Sequence, residues 1–199
     1  MKPDIESLKK SLLYSEELAI ELKKNTDEEL FKWFIASILF GARISETIAR
    51  NTYKTFEKYN LLEPRTILDA GWDFLVNPIM REGGYVRYDF KTSTKMLRIC
   101  EMLIEKYDGR LKKIHAQSLD GNDLERRLLD FYGIGPVTVN IFLRELRPYW
   151  DKADPEPLPV VKKIARKLGM DLTLFQRKSV VFTRIEAGLI RLRKSKLDI

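Results

Sequence analysis

The 199 residues contain one cysteine, Cys100, and one histidine, His115. A single cysteine excludes a disulfide scaffold, a cysteine-based zinc site and a four-cysteine iron–sulfur cluster. A single histidine excludes a histidine-rich metal centre. No apolar run approaches the roughly 18 residues needed to span a bilayer. The opening Met1-Lys2-Pro3-Asp4 has no apolar signal core, which predicts a protein of the reducing cytoplasm. No alternating strand pattern, repeat or low-complexity tract is visible.

Hydrophobic residues make up 44 % of the chain, enough for a substantial core, and a third of the residues are charged. The net charge of +7 is unevenly spread. Residues 1–109 hold 17 Lys/Arg against 18 Asp/Glu, whereas residues 110–199 hold 19 against 11. The positive character therefore belongs to the second half. It predicts either solvated helix faces or a phosphate-binding surface.

The rest reads as helix. Thr26-Asp27-Glu28-Glu29 has the form of a capping box ahead of Leu30, Trp33, Phe34, Ile35, Ile38 and Leu39. That apolar set is too broad for a surface helix and predicts a central, buried one. Ser45 caps a second helix running through Tyr59, and Pro64 suits the first turn of a third. Pro78 predicts that the apolar segment from Trp72 to Met80 is a short helix ending in a loop at Gly83-Gly84. Helical spacing over residues 92–107 stops at Gly109. Pro155, Pro157 and Pro159 keep residues 154–159 out of a helix, and two further helices follow it, Val160 to Leu168 and Phe182 to Leu192. The fold class expected is all-α.

Residues 124–146 carry the most information. A helix ends near Leu129, Gly133-Ile134-Gly135 makes a tight turn, and Pro136 opens the next helix. Two glycines permit unusual dihedrals and close approach to a surface, and proline suits a first helical position. The amides around Gly133, Gly135 and Val137 would then face outward at a helix N-terminus, where anions bind well. Ile134 would anchor the turn, and Thr138 would offer a hydroxyl. An ordinary helical corner is the structural alternative.

Leu128 to Leu143, with Gly133-Ile134-Gly135-Pro136-Val137 at its centre, resembles the helix–hairpin–helix of the HhH-GPD DNA glycosylases, the endonuclease III superfamily. Phe34 to Arg43 resembles that family's buried helix, and Gly84-Tyr85 with Lys91 resembles its DNA-wedging loop. The resemblance covers roughly residues 26–168. It implies two helical subdomains flanking a DNA-binding cleft: a six-helix unit over 26–136, and a second unit from 1–25 plus 137–199. It further implies a partner, double-stranded DNA carrying a lesion or mismatch, bound by a monomer. The location expected is cytoplasmic, nucleoid-associated in a prokaryote.

The departures from the family bear on chemistry. Bifunctional members place a lysine two residues after the second hairpin glycine; here that residue is Val137, which cannot be a nucleophile. The family's aspartate aligns with Leu158 or Pro159, and the nearest carboxylates, Glu156 and Asp154, become the candidates for its role, one or the other acting, with an exposed acidic loop as the alternative. The C-terminal cluster ligands are absent, so no iron–sulfur cofactor and no protein-held metal are expected; a monovalent cation at the hairpin carbonyls is compatible with the pattern. Arg43 stands where the family has glutamine and would fill the gap left by an extruded base or bond a base edge, unless it pairs with Glu46. Tyr85 and Tyr88 would stack on a base or wedge the duplex, unless they simply pack. Lys91, Lys162 and Lys163 are expected on the DNA, with Arg144, Arg147, Arg166 and Lys167 extending the track. Two functions remain: a monofunctional DNA N-glycosylase, or a catalytically inactive relative that binds distorted DNA.

Overall fold

A computed structural model describes residues 5–192; residues 1–4 and 193–199, the ends of the expected second unit, lie outside the described residues. In chain order the helices are α1 (Ile5–Lys9), α2 (Tyr14–Glu17), α3 (Asp27–Phe40), α4 (Glu46–Lys58), α5 (Pro64–Phe74), α6 (Arg81–Gly83), α7 (Asp89–Tyr107), α8 (Leu111–Gln117), α9 (Gly121–Leu129), α10 (Pro136–Leu146), α11 (Pro159–Lys167) and α12 (Val180–Leu192). No strand occurs among the described residues, so the protein is all-α.

Helix α3 is the axis of the core. Leu30, Trp33, Phe34, Ala36 and Leu39 are all buried, as expected for a helix apolar around most of its circumference. Thr26 accepts from the Glu29 amide (3.3 Å), but only half of the capping box forms. The Glu29 carboxylate reaches back to the Glu21 amide (2.6 Å) and across to Lys32 (2.8 Å). Because this cap starts the central helix, Thr26→Ala is expected to cost about 1 kcal/mol. Urea unfolding should show a lower midpoint at unchanged slope.

Helix α10 packs along α3. The Trp33 indole donates to the Phe142 carbonyl (3.0 Å), and the Phe34 ring meets Phe142 edge-on at 5.0 Å. Every residue from Thr138 to Leu146 is buried, so α10 has no solvent face over that stretch. A smaller apolar cluster lies apart from this main core, formed by Leu8 of α1, Val161, Ile164 and Ala165 of α11, and Ile185 and Leu189 of α12. N-terminal and C-terminal helices thus pack together, while α2 and α10 join the main core.

Pro78 interrupts the helical run: Asn77 before it is extended (φ −142°, ψ 113°), so the chain kinks there. Helix resumes through α6, and Gly84 caps it in a left-handed conformation (φ +80°), so the loop begins at Gly83-Gly84 as expected. Helix α8 was not apparent in the sequence, since its polar residues hide the burial of Leu111 and Ile114.

Candidate nucleic-acid interface

The bend between α9 and α10 is fastened from inside. Phe131 is fully buried between Phe34 (5.8 Å) and Tyr107 (6.1 Å). The Ile134 amide donates to the Phe131 carbonyl (3.0 Å), and the Ile134 side chain is buried. Gly133 takes φ +70°, a left-handed conformation open to glycine, and a Cβ there would lie 2.8 Å from Lys95 Cε. Gly135 is extended (φ −116°), and a Cβ on it would meet no atom within 4 Å. Pro136 then occupies the first position of α10.

The hydrogen-bond pattern leaves donors at this bend. The amides of Gly133 and Gly135 find no acceptor among the described residues, and the first bond of α10 runs from Val139 N to Gly135 O (3.1 Å). Val137 and Thr138 sit in the first turn, where a helix has no acceptor for its own amides. The helix dipole adds partial positive charge at the same place. Thr138 departs from expectation: its side chain is buried against Gly41, whose hypothetical Cβ would lie 3.1 Å from Thr138 Cβ, so the hydroxyl faces α3 rather than solvent.

Cations converge on the bend from α7. The Lys95 chain lies over Gly133, its ammonium pKa held down by desolvation, and Arg98 lies 4.3 Å above the exposed Tyr132 ring. Lys91 is exposed one turn earlier. Lys91, Lys95 and Arg98 are spaced i, i+4 and i+7, a facial pattern that sequence reading had available but credited only to Lys91. On α11, Lys162, Lys163, Arg166 and Lys167 are all exposed opposite Val161 and Ile164, although Lys162 also pairs with Glu156 (2.7 Å). Arg144 and Arg147 are buried and leave the expected track, because α10 offers them no surface.

The loop after Gly84 exposes different residues from those expected. Tyr85 is buried, and its hydroxyl accepts from Thr92 (2.9 Å), so it packs in the core instead of standing ready to wedge a duplex. Tyr88 is half-buried beneath the Arg87 guanidinium (5.3 Å). The apolar residues presented to solvent are Val86 and Phe90, at 64 % and 58 % exposure, and Arg87 is exposed between them.

Beside the first turn of α10 opens a cavity of about 530 Å³, walled by Tyr14, Phe40, Arg43, Glu46, Val137, Arg144, Leu158 and Val160. Val137 and Leu158 both lie on this one cavity and both are apolar; Pro159, the other position aligned with the family's aspartate, does not line it. Arg43 is exposed on its wall and makes no ion pair among the described residues, Glu46 included. The Glu46 carboxylate instead accepts from the Tyr14 hydroxyl (2.8 Å) and from Arg50 (3.2 Å). Burial, then Glu46, raises the Tyr14 pKa well above the ordinary phenol value.

Asp154 and Glu156 do not line this cavity. Asp154 meets Arg177 (2.9 Å) and Arg147 (3.2 Å), and Glu156 meets Arg177 (2.6 Å) and Lys162 (2.7 Å). Lys162 first, then Arg177, hold the Glu156 carboxyl below its ordinary pKa. Two carboxylates so paired brace the proline-rich loop against Arg177, which follows them by more than 20 residues. Among the described residues no group of three or more His, Cys, Asp or Glu side chains is placed to hold a metal ion, and no helix is long and apolar enough to cross a membrane. Comparison of the chain with models of protein families, with curated proteins and with solved structures found no match.

Proposed function

We propose that the protein binds duplex DNA through the 130–138 bend and holds a distorted or damaged site against the adjacent cavity, without hydrolysing a glycosidic bond. The bend offers main-chain donors to a phosphate, and Lys95 and Arg98 supply charge beside them. Such contacts anchor a duplex without reading its sequence. The absence of chemistry rests on one observation: Val137 and Leu158 share the cavity wall, while Asp154 and Glu156 are ion-paired away from it. Neither apolar residue can attack a sugar carbon or stabilise positive charge on it.

A second reading is favoured by Glu46, a carboxylate that lines the same cavity. If it stabilised an oxocarbenium-like sugar and oriented water, the protein would be a monofunctional DNA N-glycosylase. A panel of lesion and mismatch duplexes separates the two. The expected result is salt-sensitive duplex binding with no released base and no alkali-labile sites. Base release that disappears in Glu46→Gln would establish the glycosylase, and the absence of duplex binding at low salt would end both readings.

A further inference from the structure

Arg144 has no surface role, and nothing proposed above uses it. Its side chain is 2 % exposed, and its Nε and Nη1 have no hydrogen-bond partner. The closest carboxylate, Glu145, stands 4.0 Å from Nη2, and the Glu145 oxygens already accept from the Tyr14 and Ser15 amides (2.9 and 3.0 Å). The Tyr14 ring, 5.6 Å from the guanidinium carbon, gives partial compensation. A buried cation so weakly met is costly. Arg144 nonetheless lines the cavity, as does Arg43, which makes no ion pair among the described residues.

We propose that this cavity is a binding site for a phosphate monoester, with Arg144 as its buried ligand and Arg43 at its wall. A guanidinium presents several donors to phosphate oxygens, and a dianion placed there would meet the charge of both arginines that line the cavity. Glu46 does not block such a ligand, because Tyr14 and Arg50 already engage its carboxylate. The apolar walls at Phe40, Val137 and Leu158 suit the carrier of the phosphate, and about 530 Å³ accommodates a nucleotide-sized group. The monoester is either the 5′-phosphate at a DNA strand break or a free phosphorylated small molecule. The site goes beyond the DNA reading and stands without it.

Two arms test the site and separate the sources. In the first, inorganic phosphate replaces chloride at matched ionic strength and thermal unfolding is followed. In the second, affinities are compared for nicked duplexes bearing 5′-phosphate or 5′-hydroxyl. Phosphate is expected to raise the unfolding temperature, and the 5′-phosphate duplex to bind about tenfold tighter. Stabilisation without end discrimination assigns the site to a free phosphorylated molecule; end discrimination, alone or with stabilisation, assigns it to a strand end. Either effect should vanish in Arg144→Met, and in Leu158→Trp, which fills the cavity and reads the same outcome if Arg144→Met does not fold. Neither effect in the wild type, or persistence of the effect in a folded variant, overturns the site even where duplex binding is intact. Loss of duplex binding alone would end the DNA reading and leave the first arm readable.

Discussion

Glu186→Ala is expected to lower stability by about 3–5 kcal/mol, the usual result of leaving one member of a buried ion pair alone. Arg147 and Glu186 are both fully buried and bonded to each other across α10 and α12. Arg147 also donates to the Pro155 carbonyl and lies 3.2 Å from Asp154, so it ties the proline-rich loop to the helices beneath it. Removing Glu186 leaves the guanidinium against the Phe182 ring (5.1 Å) with only Asp154, 36 % exposed, to meet its charge. Denaturant unfolding of Glu186→Ala should show a large fall in midpoint. Replacing both partners, Arg147→Met with Glu186→Leu, should recover much of the loss, because no buried charge is then stranded. A Glu186→Ala change below about 1 kcal/mol would mean that the interior there is wetter than its burial indicates. The loop carries Leu158 to the cavity wall, so the damaged variant should also lose whatever the cavity holds.

The helices were legible because their signals are local. Thr26, Ser45, Pro64 and Pro136 each sit at the helix start their chemistry predicts. The Gly133–Pro136 turn was readable for the same reason, since its dihedral requirements lie within four residues. What sequence reading missed depends on distant neighbours. Asp154 and Glu156 look like a free acidic pair until Arg177, far along the chain, folds onto them. Tyr85 and Val86 differ only in which side of a turn they occupy, and the polar hydroxyl gave no warning that Thr92 would satisfy it inside. Arginine is seldom fully buried, so its charge favours a surface placement that Arg144 and Arg147 do not take. That rule failed on a helix enclosed by α3, α9 and α12, and the failure falls on the residue whose charge is least well met.

Gly135→Val is expected to weaken duplex binding about ten- to a hundredfold, equally for all sequences, with little change in stability. The inference turns on the difference between the two glycines of the bend. Gly133 needs its left-handed dihedral, and a side chain there would collide with Lys95, so its replacement confounds folding with binding. Gly135 is already extended at φ −116°, a region valine favours, and a Cβ points into open space. Losing glycine at the start of α10 costs a few tenths of a kcal/mol to about 1, partly offset by a less flexible unfolded chain. Open space in the free protein is where a phosphate would sit if the bend amides hold one. Two methyl groups there would keep the oxygens from the donors, and a lost contact to a charged group is worth about 1.5–3 kcal/mol. The salt dependence gives a second, independent check. No cation is removed, so the slope of log K against log salt should remain near the wild-type value, whereas Lys163→Ala should reduce it by about 1 if that lysine meets a phosphate. Unchanged affinity in a folded Gly135→Val protein would show that duplex DNA, if bound at all, does not approach the bend.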